Sequence, residues 1–553
     1  MKQIDIIRTY AQKRCLVVDD AAPARAQLKR LLVDYGATDT DTAGNAEEAI
    51  ELCRSRQYDI VISDYNLGQG KNGQQLLEEL RFHALLRNTA LFVMITAENS
   101  SHYVLHALEY QPDDFLHKPI SRESLRPRLD AALLKSEFLH SIKVALDDKN
   151  RRKAIAAAKR LAQTPGDARL QADAKKMLAE LYLATRNPEA AALVYEELGE
   201  ERHPLWMALG WARIHMLRKH YDSAETTLRE IIDESPYCVE AFDLLARVHE
   251  ANHRLEMSQQ ALMDAVRLSP RSALRQRALG RISVLIDDDK AAVHAFRTAQ
   301  KCAKHTCHEA ADDDLNLAEA LIRQASKAPA DAREEKLNEA RQHIEATSKR
   351  YSRHPVVSMR NALVRAQWHE TQGQIEQAQT ATAEALQRHE EMKYSVLENT
   401  SFQLCIDCAK SFMNRGHYDE GEAILQALAA LNEDPELAIS IDKLLREPKT
   451  REGIAYASNR NRRGIALYEA GDVEAALNAF REVQRELPNH IGLNLNLIQA
   501  LIAQAKQHAL SADDRLLLET AFRRIGQIEE GTHHHKRFSY LQKRYARLSQ
   551  DAS

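Results

Sequence analysis

The chain has 553 residues and a formal net charge of −4, so it is too long for one hydrophobic core and too evenly charged to be drawn as a whole onto nucleic acid or an anionic membrane. Its 18 Gly and 14 Pro are few, which predicts long helices on short connections, and its seven scattered Cys predict a reducing compartment rather than a disulfide framework. No apolar run reaches the roughly 18 residues of a spanning helix, and the opening MKQIDIIRTYAQKR places Asp5 inside its only apolar patch, so a cytoplasmic location without membrane insertion is expected.

From Arg14 the pattern alternates between strand and helix. Cys15-Leu16-Val17-Val18 reads as a short strand ending on Asp19 and Asp20, and Ala24 to Tyr35 carries Leu28, Leu31, Leu32 and Tyr35 at helical spacing. A Thr-rich strand (Thr38 to Ala43) precedes a helix opened by Asn45, with Glu48 placed to complete its cap. The apolar strand Asp59 to Ser63 runs onto Asp64; a Gly-rich loop to Gly73 and a helix through Leu86 follow. Next come a strand Leu91 to Ile95, a helix near Ser101 to Leu108, a short strand at Phe115-Leu116 ending on Lys118-Pro119, and a helix opened by Ser121. Five such alternations in about 120 residues predict a doubly wound, five-stranded parallel sheet.

Taken alone, Asp64 reads as a cap of the turn that follows its strand. The other strand ends argue for more. Asp19 and Asp20, Asp64, Thr96 with small Ala97 beside it, and Lys118 would all converge on the carboxyl edge of the sheet, where such folds place their chemistry. Three carboxylates in one pocket repel unless a cation sits among them, and oxygen donors with room for water suit Mg²⁺. Lys118 and the Thr96 hydroxyl could each meet an oxygen of an incoming phosphoryl group. Asp64 is then placed as its nucleophilic acceptor.

VVDD, the strand-end Asp64, Thr96-Ala97 and DFLHKP, in that order, resemble the receiver domain of two-component response regulators over residues 12–135, leaving 1–11 as a lead. The resemblance implies a flavodoxin-like fold with Asp64 as phosphoacceptor. It implies that Asp19, Asp20, Asp64 and the backbone carbonyl of Asn66 bind Mg²⁺, that Lys118 and Thr96 stabilise the phosphoryl group, and that Thr96 and Phe115 form a conformational switch. One departure is the loop YNLGQGKNG, with Gly68 where the family usually has Pro and one extra residue before Gly73; an altered loop mobility or phosphoryl lifetime would follow.

Beyond Leu134 strand signals vanish, and residues 136–553 read as all-helical. Two short helical patterns at 136–163 are split by Asp147-Asp148-Lys149-Asn150 and closed by Pro165. Pro236 and Pro270 then stand 34 apart, and Ala212, His215 and Leu228 correspond to Ala246, His249 and Leu262. A 34-residue helix–turn–helix unit with small crossing residues resembles the tetratricopeptide repeat (TPR). Its clearest copy is NRRGIALYEAGDVEAALNAFREVQRELP, with Gly464, Gly471, Ala476, Phe480 and Pro488 in phase and Leu467 filling space. Weaker units fall at 273–303, 359–389 and about 402–435, for roughly six to nine in all; 304–357 reads as irregular and 505–553 as capping helices. Stacked units predict a solenoid with a groove for a protein or peptide; the resemblance to the repeat family implies that the first helix of each unit faces it, with Trp206, Arg213, Asp243, Arg247, Asn461 and Tyr468 as candidate lining residues.

Cys405 and Cys408, and the group Cys302, His305, Cys307 and His308, lack the turn residues of a zinc knuckle and read as helical and buried. His533-His534-His535 reads as surface, and the basic tail from Lys536 to Arg547 as a cap rather than a nucleic-acid contact. With no catalytic output motif, the expected function is a phosphorelay regulator. A histidine kinase or phosphotransfer protein would load Asp64, and the TPR region would signal by binding, with a homodimer as one route. Enzymatic activity would be limited to self-phosphorylation and autodephosphorylation. A second reading makes the receiver a phosphate sink or competitor that titrates a kinase and a companion regulator without a gated groove. A third, a DNA-binding transcription regulator, would need a recognition helix, and no such pattern is found.

Overall fold

The computed structural model describes residues 10–96, 112–199, 204–392, 397, 400–415, 417–431, 438, 441–442, 444–446, 451–486, 491–505, 511–525 and 533–550. Two compact units divide the chain, Met1–Gln324 and Ala325–Ser553. Among the described residues no helix is long and apolar enough to cross a membrane.

The first unit begins with five strands, β1 (Cys15–Val18), β2 (Thr40–Ala43), β3 (Ile60–Asp64), β4 (Leu91–Thr96) and β5 (Asp114–His117). They form one parallel sheet in the order β2-β1-β3-β4-β5. β1, β3 and β4 are buried along their whole length, as strands covered on both faces must be. Alternation divides their side chains: Leu16, Val18, Val61, Phe92 and Met94 pack with Ile50, Leu76 and Leu80 on one face. Val17, Ile60, Ile62, Val93 and Ile95 pack with Leu28, Leu32, Leu125 and Leu129 on the other. The helices Ala46–Ser55 and Gly73–Phe82 thus cover one side, and Ala22–Asp34 and Arg122–Phe138 the other. The doubly wound, flavodoxin-like sheet is as expected.

Asn45 caps its helix by accepting from the Glu48 N–H at 2.9 Å, and Asn72 and Gln75 exchange bonds in a capping box. The helix expected to reach Leu86 stops at Phe82: Ala84 turns to φ 52°, and the N–H groups of Leu85 and Leu86 both donate to the Leu80 carbonyl. Leu86 is buried all the same, so its apolar phase imitated a longer helix. Ala97 and the helix expected at Ser101 to Leu108 lie outside the described residues.

The helix Arg122–Phe138 breaks at Leu139, and helices His140–Asp147 and Arg151–Gln163 follow, divided at the polar run read from sequence. The Asp147 carboxylate accepts from the Asn88 N–H at 2.7 Å and the Asn88 side chain at 2.8 Å, just ahead of β4, while Lys143 lies 3.5 Å from Asp113.

Antiparallel helices then succeed one another, a long all-helical region consistent with a solenoid. In this unit the pairs share one turn. Arg186, Lys219, His253 and Asp287 all adopt positive φ (54–60°), at spacings of 33, 34 and 34 residues. The next N–H in each case donates to the carbonyl five residues back: Asn187 to Tyr182, His220 to His215, Arg254 to His249 and Asp288 to Ser283, at 2.8–2.9 Å. This bond closes the first helix of each pair and reverses the chain.

Small residues set the crossings, as the sequence suggested. A Cβ on Gly280 would lie 2.5 Å from the Phe296 ring of the paired helix. Arg213 pairs with Glu180 at 3.0 Å and with Glu240, and Asp243 with Arg275 at 2.8 Å, so these two groove candidates tie neighbouring helix pairs together. Trp206 packs edge-on to Tyr195, and Arg247 is exposed with interactions of its own.

In the second unit, a Cβ on Gly464 would lie 2.3 Å from Phe480. Asn461 bonds to Asn496, and Tyr468 packs against the apolar cluster of Leu493, Leu497 and Leu501. Cys405 and Cys408 are buried. The stretch 304–357, which falls across the division of the units, contains helices Ala311–Ser326 and Ala330–Arg350 of 16 and 21 residues. Helices of that length put the 34-residue phase out of register. Pro488 lies outside the described residues.

Candidate functional site

Parallel register brings four strand ends to the carboxyl edge. Val18 pairs with Ser63, Asp64 with Ile95, and Thr96 with His117, so Asp19, Asp64, Thr96 and Lys118 are each the last residue of a strand or the one after it. Asp19, Asp64 and Thr96 are buried, and Asp20 is exposed. Oxygens of Asp19, Asp20 and Asp64 all lie within 4.8 Å of one another. The Lys118 ammonium bridges two of them, donating to Asp64 Oδ2 at 2.7 Å and to Asp19 Oδ2 at 2.9 Å.

Burial raises the Asp64 pKa, outweighing the Lys118 bond that works to lower it. Burial also works to lower the Lys118 pKa, but the bonds to Asp64 and Asp19 prevail and raise it. The ammonium is therefore held charged beside the carboxylates. Three acidic side chains against one lysine leave negative charge uncompensated, and a donor set made only of oxygens fits a hard divalent cation such as Mg²⁺. The cluster is thus of the right chemistry to hold that ion.

Several residues that frame the site escaped the sequence reading. Arg25 Nη1 donates to the Asp19 and Asp20 carbonyls at 2.6 and 3.1 Å, holding the acidic turn from below. Ala21 N–H donates to Asp19 Oδ1 at 2.8 Å, and the Ser63 hydroxyl to the Asp64 carbonyl at 2.9 Å. Gly73 is required by contact: a Cβ there would lie 2.2 Å from the Asp64 carbonyl oxygen. A lone Gly opening a helix after a strand-end Asp was the available signal, and only the closeness of the two backbones gives it meaning. Gly68 adopts φ +77°, which Pro cannot reach, so the loop takes a path closed to proline. A side chain there would also meet the Asp20 carboxylate at 3.2 Å. Asn66 is exposed, and its side chain accepts from the Gly68 N–H at 3.2 Å. Phe115, on β5, is half-buried against the apolar cluster and packs edge-on to His117 at 5.5 Å.

A family model of the response regulator receiver domain matches residues 15–130. The chemotaxis protein CheY-3 of Vibrio cholerae is 29% identical over 117 residues, which is 21% of this chain and 88% of that protein. A crystal structure of a two-component response regulator from Clostridium difficile is 30% identical over 22% of this chain and 97% of that one, with a TM-score of 0.21. The crystal structure of MamA protein is 19% identical, covering 34% of this chain and 92% of that one, with a TM-score of 0.28.

Proposed function

Starting from a CheY-like receiver domain at residues 15–130, we propose that the protein is a phosphorelay response regulator that accepts a phosphoryl group on Asp64 and signals through its helical region. The observation that carries this reading is the Lys118 ammonium bridging Asp64 and Asp19 within a cluster of three carboxylates. The donor is a phosphohistidine on a kinase or phosphotransfer protein. A carboxylate oxygen of Asp64 bonds to phosphorus as the P–N bond breaks; the electron pair stays on the imidazole, which takes a proton from water. Loss of the group is a separate hydrolysis: water bonds to phosphorus, the acyl P–O bond breaks, and the carboxylate is restored as inorganic phosphate leaves and the water's proton passes to solvent.

Asp19, Asp20, Asp64 and the backbone carbonyl of Asn66 would hold Mg²⁺, which when bound supplies positive charge opposite the phosphoryl oxygens. Lys118 is placed to exchange its Asp64 bond for a phosphoryl oxygen, and the Thr96 hydroxyl to donate to another. Thr96 and Phe115 then form the switch. Their shift reaches the helical region through β5 and the helix Arg122–Phe138 that follows it. That region, from about residue 136, we read as TPR-like, in keeping with turns spaced 33, 34 and 34 residues apart. Its ligand is a protein or peptide, and its output is a change in that binding.

Labelling with acetyl phosphate and Mg²⁺ tests the acceptor. The wild type should take up about one phosphoryl group per chain and Asp64→Asn none; equal labelling of the two would overturn the assignment.

A further inference from the structure

We propose that Glu78, Cys307 and His308 form a second metal site, one that takes Zn²⁺ and fastens the receiver to the helical array. A Glu78 carboxylate oxygen, the Cys307 thiol and a ring nitrogen of His308 lie within 4.8 Å of one another although 229 and 230 residues separate the glutamate from the other two. Glu78 and His308 also meet directly, and both side chains are largely out of solvent. Glu78 projects from the helix Gly73–Phe82, whose first residue packs on the Asp64 carbonyl, and the other two stand in the turn after the helix Asp289–Ala303.

The turn is braced from its own side. Arg277 donates to the His308 carbonyl and pairs with Asp313 at 2.6 Å. The His308 N–H donates to Thr306 Oγ1 at 3.2 Å, and the His305 N–H to a Glu309 carboxylate at 2.9 Å. Phe82, one turn beyond Glu78, meets the His308 ring edge-on at 6.1 Å. The loop thus presents its thiol and imidazole to a fixed partner.

The donor types select the ion. Sulfur, imidazole nitrogen and one carboxylate form a borderline-soft set that suits tetrahedral Zn²⁺ with a fourth position for water, whereas Mg²⁺ and Ca²⁺ prefer oxygen alone. Binding displaces the Cys307 thiol proton and leaves the imidazole neutral. The oxygen-only cluster around Asp64 and this one would therefore take different metals.

The test uses the reduced, metal-free full-length chain, titrated with Co²⁺ in excess Mg²⁺ so that the acidic cluster is filled. The expected result is thiolate-to-cobalt charge-transfer absorption saturating at about one equivalent and chased by Zn²⁺. Cys307→Ser should abolish it, Cys302→Ser should keep it, and Glu78→Gln should weaken Co²⁺ at least about tenfold while Asp64 still labels, showing an intact receiver. Three results would overturn the proposal: no thiolate absorption in the wild type, meaning a His308–Glu78 ion pair only; absorption that survives Cys307→Ser; or unchanged affinity in Glu78→Gln.

Discussion

At the carboxyl edge of the sheet, Asp19, Asp64, Thr96 and Lys118 arrive from four separate strand ends, and the Lys118 ammonium joins two of the others at 2.7 and 2.9 Å. Between Thr185 and Asp288, by contrast, one turn geometry recurs four times with different residues, Arg186, Lys219, His253 and Asp287, at its key position. The sheet edge depends on particular atoms, the carboxylates of Asp19 and Asp64 and the ammonium of Lys118. The array depends on shapes that several side chains can supply. Single substitutions should therefore separate the two regions, removing chemistry without fold in one and fold without chemistry in the other.

The largest effect expected is at the acceptor. Asp64→Asn should lower acetyl-phosphate labelling by at least about 100-fold, because the nucleophile itself is gone. Hydrogen exchange in the helices beyond residue 140 should be unchanged. Lys118→Met should reduce the labelling rate by a smaller factor while leaving Asp64 in place. If Lys118→Met labelled like wild type, the bridge would be structural only.

The converse substitution is Gly280→Val. Its side chain would overlap the Phe296 ring, and overpacking of this kind costs about 1–3 kcal/mol. Urea denaturation followed by exchange of the Phe296 helix should show that loss, with Asp64 labelling retained. A wild-type midpoint would mean that the crossing can relax.

Acid should act on the two regions with opposite sign. Burial lowers the His249 pKa from its ordinary 6.5, and its buried Nδ1 has no hydrogen-bond partner among the described residues. The unfolded chain thus binds that proton more readily, and array stability should fall as pH drops below 6.5. His215, its counterpart 34 residues earlier, is lowered by burial too. Asp64 is raised from 3.8, so there the folded state binds the proton more readily, and acidification through the window just above 3.8 should stabilise the metal-free receiver. Thermal scans across pH 4–8 would resolve this, with His249→Leu flattening the loss below pH 6.5 and Asp64→Asn removing the gain. The smallest effect is at a turn: Lys219→Gly, which relieves positive φ at an exposed residue, should raise stability by about 0.5 kcal/mol in chemical denaturation.

Much of this was legible beforehand, for different reasons in each region. Apolar strands with a polar residue at the end announce a sheet edge, so Asp19, Asp20, Asp64, Thr96 and Lys118 could be brought together without coordinates. Arg25 and Gly73 could not, because one acts through carbonyl contacts and the other through the closeness of two backbones. In the array, Pro236 and Pro270 gave the period, but the positive-φ residues at the turns are ordinary Arg, Lys, His and Asp, with nothing in their identity to mark a left-handed position. Glu78 was invisible as a partner of His308, since no local pattern reports a contact across 230 residues.

The bonds from Asp147 to Asn88 have a consequence for access. Asn88 precedes β4, whereas Thr96 ends it, so the array is bolted to the sheet about 20 Å, one strand length, from the acceptor edge. Loading and attachment occupy opposite poles of the same strand. A kinase or phosphotransfer protein could thus dock and leave at one pole without prising open the joint at the other, and delivery of the phosphoryl group would not compete with whatever the helices hold.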